Sequence, residues 1–196
     1  MSINAPIIYD RGFLPLRAAA DWMDKMWNGL DWRRIEKTPR REYYCSIHDK
    51  PYTYGKEPFA RTYQPQTITP EIQNIWKVVE FAAGVQFDVC FLNGYEDESD
   101  QLGWHADNSP EMDDARPIAI VSLGAEREIW FRENPPPRIT RDVVEHPVKK
   151  LKLEYGSLCL MQPGMQDTHQ HRIPKAGFKC GPRISLTFRG YVPPTA

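Results

Sequence analysis

Apolar residues recur at helical spacing in two stretches of the N-terminal half. Leu16, Ala19, Met23, Met26, Trp27 and Leu30 follow that period with Arg17, Asp21, Asp24 and Lys25 between them, which predicts an amphipathic helix laid against a core. A second helix is expected from Thr69-Pro70-Glu71, where threonine supplies a cap and proline suits the first helical position. It carries Ile72, Ile75, Trp76 and Val79 toward Gly84. From Phe87 onward the pattern changes to short β-rich runs at 87–95, 118–123, 128–131, 148–153, 157–161 and 184–191. Strands in series call for a sandwich or barrel, so the expected class is α+β with the N-terminal helices packed on one sheet. Residues 33–66, with prolines at 39, 51, 58 and 65, and the Pro-rich segment 134–138 read as surface loops.

With 196 residues, 41% of them hydrophobic, the chain has material for one sizeable core, and a single domain over 1–196 is expected. Its 25 basic and 26 acidic residues cancel to a formal charge of -1, so any contact with a polyanion has to come from a local basic cluster. Cys45, Cys90, Cys159 and Cys180 form no C-x-x-C pair, which suits a reducing compartment. The N-terminus has no basic stretch followed by an apolar one, and no run is long enough to span a bilayer. The expectation is a cytoplasmic protein without membrane contact. Lacking a long unpaired apolar stripe, it is expected to be monomeric.

The chemistry-bearing residues lie among the strands. His105-Ala106-Asp107 places an imidazole and a carboxylate two positions apart, on one face of an extended segment, where they can share a metal ion. His169 and His171, in Thr168-His169-Gln170-His171-Arg172-Ile173, each offer a third ligand. Two histidines and a carboxylate leave iron with open positions for a bidentate cosubstrate and oxygen. In Pro182-Arg183-Ile184-Ser185-Leu186-Thr187-Phe188-Arg189, alternation puts Arg183, Ser185, Thr187 and Arg189 on one strand face and three apolar residues on the other. Paired guanidiniums on a buried face call for anions, and a dicarboxylate supplies bidentate partners. Asn93 and Tyr95 end a strong apolar run and could complete such a pocket by hydrogen bonding.

Taken in order, Asn93-x-Tyr95, His105-x-Asp107, His171 and Arg183-x5-Arg189 resemble the AlkB family of Fe(II)- and 2-oxoglutarate-dependent dioxygenases, whose signature ends in R-x-N-L-T-F-R. The stretches Pro117 to Ala125 and Ile129-Trp130-Phe131-Arg132 are similar to the family's P-I-x-x-V-S-F-G-x-x-R-x-F-x-F-R segment, and the likeness runs from about Phe87 to Tyr191. The resemblance implies a double-stranded β-helix, or jelly roll, over about 87–191. By matching position it implies His105, Asp107 and His171 as iron ligands, and Asn93, Tyr95, Arg183, Ser185 and Arg189 around 2-oxoglutarate. His171 is preferred because it directly precedes Arg172-Ile173 and lies twelve positions before Arg183; His169 then lies behind the metal or faces solvent. Ser185 stands where the family signature has asparagine.

The implied activity is removal of alkyl groups from bases such as N1-methyladenine and N3-methylcytosine in DNA or RNA. Fe(II), 2-oxoglutarate and O2 are its cofactors, and succinate and formaldehyde its products. Thr38-Pro39-Arg40-Arg41 and Tyr52-Thr53-Tyr54-Gly55 resemble the P-R-K and T-Y-T-F-S-G stretches of the duplex-DNA-repairing members. The resemblance therefore implies a nucleotide-recognition lid over about 33–66, with Tyr54 stacking on an extruded base beside Tyr52. Arg33, Arg34, Lys37, Arg40 and Arg41 are the expected phosphate contacts. After H-x-D, where the repair members carry an acid that reads the base's exocyclic amine, this chain has Asn108-Ser109-Pro110-Glu111, which leaves the base preference open. The competing readings are an AlkB-like oxygenase acting on modified RNA or a protein side chain, a nucleic-acid-binding jelly roll without catalysis, and a structural zinc protein.

Overall fold

The computed structural model describes residues 4–35, 38–54, 60–134 and 147–192. The elements begin with β1 (Ile7–Asp10), α1 (Leu16–Gly29), β2 (Arg41–Ser46), β3 (Tyr52–Tyr54), β4 (Arg61–Tyr63) and α2 (Pro70–Ala83). They continue with β5 (Val89–Tyr95), β6 (Leu102–His105), β7 (Ile118–Gly124), β8 (Arg127–Glu133), β9 (Lys149–Leu153) and β10 (Leu158–Met161). The last are α3 (Met165–Thr168), β11 (His169–Ile173) and β12 (Arg183–Arg189). A six-stranded sheet in the order β1-β10-β7-β12-β5-β2 faces a four-stranded sheet in the order β6-β11-β8-β9, and β3 pairs with β4 as a separate hairpin. From β5 to β12 the chain winds back and forth between the two large sheets, which is the winding of a jelly roll.

Alternation along the strands builds two cores back to back. Ile184, Leu186 and Phe188 of β12 pack with Ala119, Val121 and Leu123 of β7, with Met23 and Met26 of α1, and with Ile72, Ile75, Trp76 and Val79 of α2 on the outer face of the large sheet. Ile118 and Ile120 point the other way, into the space between the sheets, with Ile129, Phe131, Leu153, Met161 and Ile173. Helix α2 forms where its caps predict: the Thr69 hydroxyl accepts the Ile72 N–H at 3.5 Å, and Gly84 closes the last turn at φ 67°. Full burial of its four core side chains contributes about 1.5–3 kcal/mol each.

The structure corrects the loop reading of 33–66. Residues Arg41–Ser46 form β2, an almost wholly buried strand paired with β5 in the register Glu42↔Asn93 and Tyr44↔Phe91. Its alternation is hidden because both faces are covered, by α-helical packing around Tyr43 and Cys45 and by the tyrosine cluster around Tyr44. Five other strands lie outside the predicted runs: β1, β3, β4, β6 and β11. Strands β6 and β11 carry glycine, histidine and glutamine in place of the usual β formers, so their sequences lack the apolar signal. Lys37, Gly55 and the Pro-rich stretch from 135 lie outside the described residues.

Gly124 closes the end of β7 at φ +85°, directly opposite Arg183 in the β12 register. A Cβ there would lie 2.3 Å from the Pro182 carbonyl oxygen and 3.2 Å from the Arg183 Cα. Gly124→Ala is expected to destabilise the fold by at least about 2 kcal/mol, read as a drop in the urea midpoint at unchanged slope.

Candidate metal and cosubstrate site

Pairing of β6 with β11 sets His105 and His171 directly opposite each other on the inner face of the small sheet, with ring centroids 4.2 Å apart. Asp107 follows two residues after His105, and the segment is held by the Gln166 side chain, whose Oε1 accepts the Asp107 N–H at 3.0 Å. The Asp107 carboxylate lies 3.8 Å from His105 Nε2 and 3.7 Å from His171 Nε2. One ligand atom from each of the three residues falls within 4.8 Å of the others. His105 Nδ1 meets the Gly103 carbonyl at 2.8 Å, which makes Nδ1 the protonated nitrogen and leaves Nε2 a free lone pair facing the carboxylate. His169 is not in this cluster. It is buried rather than solvent-facing, with Nδ1 against the Thr168 hydroxyl at 2.8 Å.

Burial sets the protonation of the three residues. It lowers both imidazoles, His171 to about 3 with His105 adding to the effect, so each is neutral near pH 7. Burial alone would raise the Asp107 carboxyl, but Arg189 at 3.5 Å and the two imidazoles bring it down to about 2. Two neutral imidazoles and one carboxylate on one side of a cavity are the donor set of an open iron site. They fit Fe(II) and leave the remaining positions for other ligands.

Strand β12, between β7 and β5, turns Arg183, Ser185, Thr187 and Arg189 inward. Both arginines are buried. Arg183 donates to Ser122 Oγ at 3.0 Å and lies over the Tyr95 ring, yet its Nε and Nη1 meet no acceptor among the described residues. Arg189 reaches Asp107 and the Tyr52 hydroxyl, and its Nε is likewise unpartnered. Burial pushes Arg183 down to about 10, and nearby Arg127 adds to the shift despite the opposing pull of Tyr95. Buried guanidiniums with open donors are the complement of a dicarboxylate, so 2-oxoglutarate fits; Arg189, Ser185, Asn93 and Tyr95 line the cavity and would hold it, with Arg183 packed against the Tyr95 ring.

A cavity of about 640 Å³, counting its mouth, joins these parts; Asn93, Tyr95, His105, Asp107, His171, Ser185 and Arg189 line it, with Tyr52, Tyr54, Tyr63 and Phe91 as aromatic walls. Arg183 sits behind Tyr95 and does not line it. The basic residues of the expected rim are placed differently from the sequence reading. Arg40 turns inward, with Nε on Asn93 Oδ1 at 2.6 Å and Nη2 on Glu42 at 2.7 Å. Arg41 pairs with Glu96 and lies over the Trp27 ring, and Arg34 pairs with Glu96 and Asp100. These three guanidiniums are thus each paired with acids of the same chain. Tyr52 is buried, its hydroxyl on Ser109 at 2.8 Å, whereas Tyr54 is partly open to the cavity. Gln166, Tyr63 and Glu42 were not singled out from sequence, since only the fold brings them to the site.

The chain matches the model of the 2OG-Fe(II) oxygenase superfamily over residues 8–189. It is 30% identical over 189 residues to the mouse alpha-ketoglutarate-dependent dioxygenase alkB homolog 3, covering 93% of this chain, and 32% identical over 157 residues to the mouse DNA oxidative demethylase ALKBH2, covering 76% of it. Both relatives are longer: the chain spans 65% of the first and 64% of the second. The solved structure of OsALKBH1 superposes with a TM-score of 0.62 at 18% identity, over 96% of this chain and all of that one, a likeness of fold.

Two outcomes follow from the electrostatics. Because no ligand has to lose a proton near neutrality, Co(II) affinity measured by optical titration is expected to change less than about tenfold between pH 8 and pH 5.5, where two ordinary histidines would cost about a hundredfold. Removing a buried cation that has no anion costs little, so Arg183→Leu is expected to stay within about 1 kcal/mol of the parent or gain stability. Arg189→Leu, which removes the guanidinium that lines the cavity, is expected to lose the thermal shift that 2-oxoglutarate gives the metal-loaded parent, about 2.7 kcal/mol at a hundredfold excess over Kd.

Proposed function

The chain belongs to the 2OG-Fe(II) oxygenase superfamily, and from that premise, supported by its similarity to alkB homologues, we propose that it is an AlkB-type enzyme that dealkylates nucleobases of DNA or RNA by oxidation. The reading is carried by one arrangement: the His105, Asp107 and His171 cluster and the inward Arg189 share a cavity with tyrosine walls. When bound, Fe(II) with 2-oxoglutarate and O2 supplies the oxidising power to hydroxylate an N-alkyl carbon, with succinate and carbon dioxide as co-products. The hydroxylated carbon then leaves as formaldehyde and restores the base, a step that needs no protein nucleophile.

The residues of the chain provide position and environment. Asp107 supplies the single negative ligand and the imidazoles bind as neutral donors. Tyr54, Tyr63 and Phe91 offer flat surfaces for an extruded base, and burial holds the Tyr54 and Tyr63 hydroxyls protonated, each raised to about 12, so both remain donors. The β3–β4 hairpin that carries Tyr54 and Tyr63 is read as part of a nucleotide-recognition lid over about 33–66. The name of the ALKBH2 relative, a DNA oxidative demethylase, supports a nucleic-acid substrate. The four unbridged cysteines support a reducing, cytoplasmic setting, and we read the chain as a monomer. Among the described residues no helix is long and apolar enough to cross a membrane.

The deciding experiment is succinate formation by Fe(II)-loaded protein given 2-oxoglutarate, with and without oligonucleotides bearing N1-methyladenine or N3-methylcytosine, beside His171→Ala. Methylated oligonucleotides are expected to accelerate succinate formation and to lose their methyl groups only with His171 in place. Turnover of 2-oxoglutarate that no methylated base stimulates would move the substrate to another class, and no turnover at all would overturn the enzyme reading.

A further inference from the structure

Asn93 sits at one register level with Glu42 on β2 and Ser185 on β12, on the cavity side of the large sheet. Its side-chain amide has two ends of nearly equal shape and opposite chemistry: Oδ1 only accepts and Nδ2 only donates. A dicarboxylate in the cavity can use only the donor. What decides which end faces the cavity is the neighbour on the other side, and that neighbour is Arg40, whose Nε lies 2.6 Å from Asn93 Oδ1. A guanidinium has no acceptor, so this contact forms only with the amide oxygen turned to Arg40 and the NH2 turned away. Arg40 is in turn fixed by Glu42, whose Oε1 takes Nη2 at 2.7 Å. Glu42 is 2% exposed, its Oε2 has no partner among the described residues, and its one side-chain hydrogen bond there is with Arg40.

We propose that Glu42 and Arg40 are positioning residues for the cosubstrate: they lock the Asn93 amide with its donor toward the carboxylates of 2-oxoglutarate. The inference rests on the proposed function, because it presumes that 2-oxoglutarate is what the cavity takes. Arg40 lines the cavity itself, but its hydrogen bonds go to Asn93 and Glu42, and none goes to the metal cluster or β12 among the described residues. The lock also explains why an arginine that sequence places among surface cations is half-buried in the cavity wall. Removing it leaves the amide free to present its oxygen to an anion, which replaces one charge-assisted hydrogen bond by a repulsion.

A double-mutant cycle read by calorimetric titration of 2-oxoglutarate into Mn(II)-loaded protein tests this without turnover. Arg40→Met is expected to weaken binding by about tenfold or more in the parent, and by less than about twofold in an Asn93→Ala background, since the amide through which it acts is gone. Arg40→Lys keeps a donor for Oδ1 and is expected to recover most of the loss. Because Arg40→Met strands a buried carboxylate, the paired replacement Arg40→Met with Glu42→Gln serves if the single variant does not fold, and the same cycle is expected from it. Multiplicative losses in the two backgrounds, unchanged affinity in the parent background, or an equal loss of Mn(II) affinity would each overturn the proposal. Failure of the parent itself to bind 2-oxoglutarate would overturn the proposed function as well, and so is told apart from failure of the lock alone.

Discussion

Two guanidiniums buried on one face of the central strand are the constraint to which the rest of this molecule answers. Arg183 and Arg189 lie on β12, flanked by β7 and β5 and facing the small sheet, and both are buried. Isolated burial of such charges is costly, so each must be met by something. Arg189 is met by Asp107 and the Tyr52 hydroxyl; Arg183 has Ser122 and the face of Tyr95 and keeps two donors open. A fold that accepts this arrangement has an anion-shaped requirement built into its core.

The same constraint organises the metal cluster. Asp107 is held ionised against the penalty of burial chiefly by Arg189, and it in turn faces the Nε2 atoms of His105 and His171. The histidines come from neighbouring strands of the opposite sheet, so closing the jelly roll is what brings the carboxylate, the imidazoles and the arginines into one cavity. Each part is supported by a neighbour that makes no metal contact of its own: Gly103 for the His105 tautomer, Gln166 for the Asp107 backbone, Arg40 for the Asn93 amide. Precision at such a site depends on these supports as much as on the ligands.

Charge pairing also reshapes the N-terminal half. Arg34, Arg40 and Arg41 stand close together in sequence and read as a basic face; Glu42, two residues along, takes Arg40, but Glu96 and Asp100 arrive beside Arg34 and Arg41 only after β2 joins β5. Ion pairing within the chain then offsets part of the positive charge that the linear pattern shows. The tyrosines of 52–63 undergo a similar division: Tyr52 is consumed in packing and hydrogen bonding, while Tyr54 and Tyr63 remain as cavity wall.

The sequence by itself determined the parts whose signal is local. Helical period placed α1, period with capping placed α2, and alternation separated the arginine face of β12 from its apolar face, because Cβ direction follows directly from backbone geometry. The H-x-D spacing and the family signature named the residues that gather in the cavity. Only the tertiary structure decided between His169 and His171 by geometry, since both face the same way on β11 and the choice lies in which one the β6 register sets opposite His105. It alone made β2 a buried strand and turned Arg40 inward. Those outcomes depend on partners about 50 residues distant along the chain, and no local pattern carries that information.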